Sequence, residues 1–466
     1  MGAPSPEPLT FAQADRLNLK PFCERLEKYL LVDFDYADGS LVTALNAGFG
    51  CGKTTFLEMW KTDLLARRDS STAAEAFTAP MPVMLNAWES DYCGDPLVAI
   101  LAGLDNAVKQ WTGSDKPAEN KVTKLREAIQ DASWCAADLA NGFAAKLTGM
   151  NAKEALKLKD EKKAAKNPPP PNFIALFNQR QESLHKLQES LVEAFAGDSP
   201  KVIVFVDELD RCRPDYAVSY LETIKHVFNV KGMIFLLAVD LHHLEVSAKS
   251  LFGNDLNFDE YFRKFCHRRF DLPKPVHAPM QKLLEEYIVK YTAITRKRSS
   301  IFNPDPKFSI DAAHLALAFE MTPRQLQEAF RIFGHVMSTQ DEQYEKTTLT
   351  TWIMGTIFLC YLRAAHYEFY QQIRRGRLVH EELWSKWLFR IERLNAKRWI
   401  QIYLTGIPAE SISSEELNTY LRDRGYISDD QYSDGFLLGF YPLWGALSNP
   451  FATLCRKIED AECLIK

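Results

Sequence analysis

The run Leu41-Val42-Thr43-Ala44-Leu45-Asn46-Ala47-Gly48-Phe49-Gly50-Cys51-Gly52-Lys53-Thr54-Thr55 constrains this chain more than any other segment. Its apolar start reads as a short buried strand, its centre as a glycine-rich turn, and the residues from Lys53 to Arg67 as a helix. A strand, turn and helix in that order expose a nest of backbone N–H groups at a helix N-terminus, where phosphate oxygens are favoured. Gly50 and Gly52 let the backbone approach closely without a Cβ clash. Lys53 can then reach β- and γ-phosphates, and the Thr54 hydroxyl can serve magnesium. Gly48, Phe49, Gly50, Cys51, Gly52, Lys53, Thr54 and Thr55 are therefore the candidate nucleotide-binding residues. One position departs from the usual G-x-x-x-x-G-K-[ST] pattern: Ala47 takes the place of the first glycine, with Gly48 directly after it.

A second signal lies downstream. Val202-Ile203-Val204-Phe205-Val206 is continuously apolar, as expected of a central parallel strand buried on both faces, and it ends in Asp207-Glu208. A doubly wound sheet brings such strand ends beside the phosphate site. Asp207 is the candidate magnesium ligand with Thr54, and Glu208 the candidate catalytic residue that polarises the attacking water. Further strands are expected at Pro82–Trp88 and Met233–Val239, with helices over 95–111, from Pro214 onward, and near Leu184, Leu187, Leu191, Val192 and Phe195. Residues 12–31 read as one amphipathic helix carrying Leu17, Phe22, Leu26, Tyr29 and Leu30. This alternation predicts right-handed crossovers and an α/β, doubly wound, mostly parallel sheet.

With 466 residues there is room for several domains. The first part of the core is expected over 1–112, a charged insertion over 113–172, the rest of the core over 173–275, and an all-helical domain over 276–466. The insertion ends in four consecutive prolines, Pro168 to Pro171, which favour a stiff extended spacer. A net charge of −5 gives no global attraction to nucleic acid, which stays open as a partner without being indicated. Nine dispersed cysteines without a Cys-x-x-Cys pair fit reduced thiols and a cytoplasmic setting. No secretory signal is visible at the N-terminus. The apolar run Trp352–Leu362 covers about half the roughly 20 residues that a membrane span needs, and reads as a buried core helix. His242-His243 and Cys266-His267 lack metal-cluster spacing. Trp384, Trp387 and Trp399 read as core residues, and Arg374, Arg375 and Arg377 as a solvated helix end.

The extended acidic motif Val204-Phe205-Val206-Asp207-Glu208-Leu209-Asp210-Arg211-Cys212-Arg213-Pro214 resembles that of the KAP family of P-loop NTPases. Leu85-Asn86-Ala87-Trp88, Phe235–Asp240, Tyr261–Phe265 running to Leu272-Pro273, and Thr322-Pro323-Arg324-Gln325 are similar to the same family, in the same order, over roughly residues 15–335. The resemblance implies the additional-strand type of P-loop sheet, with the strand ending in Asp240 between those of the loop and the acidic pair. It implies Arg324 as a catalytic second sensor, with a surface arginine near a helix start an equal alternative, and Asp240 as a first sensor, with a plain helix N-cap an equal alternative. Arg211, Arg213 and Arg263 become candidates for a finger offered to a neighbouring subunit, against solvated surface arginine. Many relatives carry membrane helices where this chain has its charged insertion, so it looks like a soluble member. The implied activity is hydrolysis of ATP with Mg2+, driving a conformational or assembly switch with self-association or a separate effector protein. Bacterial proteins of this kind resemble regulatory or sensor subunits of anti-phage defence systems. The alternatives are a nucleotide-holding scaffold with little turnover, to which Ala47 lends support, and a nucleic-acid-associated motor.

Overall fold

Five strands, Leu41–Asn46 (β1), Met81–Asn86 (β2), Val202–Asp207 (β3), Met233–Val239 (β4) and Arg268–Asp271 (β5), form an all-parallel sheet in the order β2-β3-β4-β1-β5. The coordinates are a computed structural model that describes residues 8–70, 79–111, 123–130, 132, 173–195, 201–273, 277–299, 301–304, 307–339, 346–376, 395–406, 414–423, 425–437, 444 and 449–463. They divide into two compact units, residues 1–274 and 275–466.

In the first unit β4 separates β1, which feeds the glycine-rich turn, from β3, which ends in the acidic pair. This is the additional-strand arrangement. Asn46 lies opposite Val239 and Asp207 opposite Ala238, so the C-terminal ends of β1, β4 and β3 finish side by side. Every residue of β3 and β4 is buried. Alternate residues feed opposite faces of the sheet, as the two-residue period of a strand requires. Val204, Val206, Phe235 and Leu237 join one cluster, against helices Pro96–Trp111, Phe173–Phe195 and Pro214–Val227. Ile203, Phe205, Ile234 and Leu236 join the other, against helices Lys20–Asp35 and Lys53–Ser70, where Trp60 packs 5.1 Å from Phe205.

Three local readings change. The single helix expected over 12–31 is two, Phe11–Ala14 and Lys20–Asp35. Asn18 turns left-handed between them (φ 57°), and the Asp15 carboxylate accepts the backbone N–H groups of Leu19 and Lys20 at 2.7 and 2.8 Å. The second helix buries Cys23, Leu26, Leu30 and Phe34 and leaves Tyr29 exposed. Val192 of helix Phe173–Phe195 is likewise exposed. β5 was unanticipated, because Arg268-Arg269-Phe270-Asp271 is short and polar, as suits an outermost strand. Residues 123–130 form a helix whose Leu125 and Ile129 pack in the same cluster as Leu187 and Leu191, with Lys124 paired to Glu193 at 3.2 Å. The Pro168–Pro171 spacer lies outside the described residues.

The second unit is helical throughout its described elements. Its core centres on helix Lys346–Ala365, whose apolar run from Trp352 to Leu362 is buried end to end. Phe358 stacks on Trp399 and Phe451. Trp384, Trp387 and Arg377 lie outside the described residues, while Arg374 pairs with Glu459 at 2.7 Å. Among the described residues no helix is long and apolar enough to cross a membrane.

Candidate functional site

The loop leaves β1 with the Ala47 N–H bonded to the Val239 carbonyl at 3.1 Å, which ties its first residue to β4. Gly50 (φ 79°) and Gly52 (φ 89°) adopt left-handed backbone that any side chain would strain. Ala47 has no such conformation, so alanine there forces nothing on the turn. Helix Lys53–Ser70 starts directly after Gly52. The Lys53 ammonium turns back over the loop and donates to the carbonyls of Ala47 at 2.5 Å and Gly48 at 3.5 Å.

Across β4, the Thr54 hydroxyl donates to Asp207 Oδ2 at 2.5 Å, and the Glu208 N–H donates to Asp207 Oδ1 at 2.9 Å. Asp207 is buried at the end of β3, and burial pushes its carboxyl above the usual range despite these hydrogen bonds and the nearby Lys53. A desolvated carboxylate beside a hydroxyl is a hard-oxygen pair of the kind magnesium takes, with phosphate and water as its other ligands. The two residues fit that ion. Among the described residues no group of three or more His, Cys, Asp or Glu could hold a metal.

Glu208 sits in left-handed backbone (φ 61°), an unusual conformation for a residue with a Cβ and one that accumulates at functional sites. Its carboxylate is held from two sides. Arg211 pairs with Oε1 at 2.7 Å, and Asn86 Nδ2 donates to Oε2 at 3.2 Å. Asn86 ends β2 directly opposite Asp207, and its own Oδ1 caps the N–H groups of Trp88 and Glu89 at 3.1 and 3.2 Å, which turns its amide N–H toward Glu208. In the sequence Asn86 stands out only as a motif residue, and its contact with Glu208 spans 122 positions. A polar side chain ending an otherwise apolar strand was the available signal.

The finger candidates separate. Arg211 stays within its own site, stacked over the rings of Phe49 (4.5 Å) and Trp88 (5.5 Å). Arg213 is anchored on Asp91, with Nε to Oδ1 at 2.9 Å and its backbone N–H to Oδ2 at 3.0 Å. Arg263 is exposed after the short helix Phe258–Phe262. Asp240 caps helix Leu241–Phe252 through the His242 N–H at 3.1 Å, and its other oxygen lies 3.9 Å from where a Cβ on Gly48 would stand. Arg324 belongs to the second unit. It is exposed in the first turn of helix Pro323–Ser338, behind a capping box formed by Thr322 and Gln325.

A glycine-rich loop on β1, a strand inserted beside it and an acidic pair on the next strand define a P-loop nucleoside triphosphatase. The model of the KAP family P-loop domain matches residues 20–340, and the chain belongs to that family. No curated protein matches the chain.

Proposed function

We propose that this chain is a magnesium-dependent ATPase whose turnover drives a conformational or assembly switch. The supporting observation is the convergence at one sheet edge of the Thr54–Asp207 pair, at 2.5 Å, and the two-sided grip on Glu208. Magnesium held by Thr54 and Asp207 would offset charge on the β- and γ-phosphate oxygens. The loop N–H groups and Lys53 hold the phosphates, Lys53 exchanging the Ala47 carbonyl for phosphate oxygen. Glu208 orients water for in-line attack and accepts its proton as the new bond to the γ-phosphorus forms and the bond from that phosphorus to the β–γ bridging oxygen breaks, the nucleoside diphosphate leaving on the opposite side. Arg324 is retained as a second sensor on family grounds, and ATP rather than GTP as the substrate. A regulatory role beside a separate effector, as in anti-phage defence, rests on the same resemblance.

Nucleotide binding and single-turnover hydrolysis test the chemistry. Lys53→Ala should lose tight binding. Glu208→Gln should bind ATP but lose turnover by on the order of 100-fold or more. Wild-type turnover in Glu208→Gln would remove Glu208 from its role. Sizing the protein with and without a non-hydrolysable ATP analogue distinguishes an assembling switch from a static scaffold.

A further inference from the structure

Arg211 makes contacts that a surface arginine or a finger extended to another subunit would not need. It lies three residues after Glu208 in the 3-10 turn Leu209–Arg211, where side chains three apart eclipse. A backbone bond from the Arg211 N–H to the Glu208 carbonyl at 3.1 Å closes that turn. The guanidinium edge pairs with Glu208 Oε1 at 2.7 Å while the guanidinium carbon lies 4.5 Å from the centre of the Phe49 ring. Phe49 sits between Gly48 and Gly50, inside the glycine-rich loop to which the proposed function assigns the phosphates, and keeps 43% of its surface exposed. The Trp88 ring, 52% exposed, has its centre 5.5 Å from the same guanidinium carbon.

We infer that Arg211 is a positioning residue acting within its own chain: it fixes the Glu208 carboxylate and couples it to the phosphate loop through Phe49. This rests on the ATPase reading above. Because Glu208 has left-handed backbone, neither a strand nor a helix directs its side chain, and the contacts from Arg211 and Asn86 supply the direction. Each carboxylate oxygen accepts more than one hydrogen bond, so this grip leaves lone pairs for water. A planar guanidinium can stack on a ring while its edge donates, which an ammonium cannot reproduce. A loop that rearranges around phosphate therefore moves the ring on which Arg211 rests, and with it the carboxylate that aims the water.

The test measures kcat and the Kd of a non-hydrolysable ATP analogue in Arg211→Ala, Arg211→Lys, Phe49→Ala and the Arg211→Ala/Phe49→Ala pair, in the full chain. Arg211→Ala should lower kcat by about 10-fold or more while Kd changes by less than about 3-fold, because an interaction that acts on the reacting geometry appears in kcat. Arg211→Lys should recover only part of that loss. Phe49→Ala should lower kcat in the same direction, and the double variant should be no worse than Arg211→Ala alone, since both changes break one coupled contact. Mixing Arg211→Ala with Glu208→Gln protein should restore no activity, whereas restoration would mean that Arg211 serves a neighbour and would overturn the proposal. A wild-type kcat in Arg211→Ala, or in Phe49→Ala should Arg211→Ala not fold, would overturn it as well. If the wild-type protein binds ATP but does not hydrolyse it, the ATPase reading fails and this one falls with it. If wild type turns over and Glu208→Gln does not, only the Arg211 assignment is at stake.

Discussion

Gly48 and Gly52 stand four residues apart in one loop, yet their demands on the chain differ. Gly52 has left-handed backbone with nothing within 4 Å of an added Cβ, so alanine there is strained by conformation alone. Gly48 has ordinary backbone, and a Cβ would meet Cys51 Sγ and Asp240 Oδ2 at 3.8 and 3.9 Å, which is normal contact. Gly52→Ala is expected to destabilise the nucleotide-free protein by roughly 1–2 kcal/mol, the cost of a left-handed residue with a Cβ, and Gly48→Ala by less than about 0.5 kcal/mol. Urea unfolding of the two variants checks this, and equal losses would contradict it. Thr54→Val should raise the magnesium concentration needed for half-maximal turnover by about 10-fold, consistent with loss of a single oxygen ligand. The loop and the acidic pair were legible in sequence because each occupies adjacent residues with a fixed pattern. Asn86 was not, since its contact with Glu208 spans 122 residues of sequence and exists only once β2 and β3 are in register. Arg211 was visible as a motif residue, but an arginine next to an acidic pair does not announce whether it turns toward its own carboxylate or away.

The strands of the central sheet were readable as elements because burial on both faces demands unbroken apolar runs, and β3 and β4 have them. β5 escaped because its partners are set by β1 on one side only, so Arg268, Arg269 and Asp271 meet no demand for apolar character. The break at Asn18 escaped because the helical spacing of Leu17, Phe22 and Leu26 is blind to a side-chain cap such as Asp15. In the second unit, His366 joins helices Lys346–Ala365 and Tyr367–Arg374, with Nε2 2.9 Å from the Phe319 carbonyl. Burial lowers its pKa from the ordinary 6.5, outweighing the bond to Phe319 and the field of Glu320. The folded state thus holds the neutral ring, and the unfolded chain takes up the proton first as pH falls. The contribution of His366 to the stability of the second unit is therefore expected to be fully present above about pH 6.5 and to be lost as pH drops below it. His366→Gln should flatten that acid-side slope in thermal melts taken from pH 7.5 to 5, and an unchanged slope would exclude His366 as its source.

At the scale of the whole chain, the clusters of the two units have no residue in common. Trp60→Ala removes a side chain enclosed between Phe56 and Phe205 in the first unit, and Phe358→Ala one enclosed by Trp399, Tyr403 and Phe451 in the second. Each should cost about 3–5 kcal/mol, as large-to-small changes of buried aromatics do. Calorimetry should show the two variants lowering different transitions, and the double variant lowering each transition by the same amount as the corresponding single variant, since the sites share no partner. A single transition lowered equally by either change would mean that the units unfold as one. The sheet also bears on how copies of the chain can meet. Among the described residues its outermost strands are poor templates for another strand: β2 carries Pro82, which lacks a donor, and β5 presents Arg268, Arg269 and Asp271. Fibrous edge-to-edge stacking is thereby discouraged, and any meeting of copies of the chain is left to side-chain surfaces, whose contacts are more readily undone than a shared ladder of backbone hydrogen bonds.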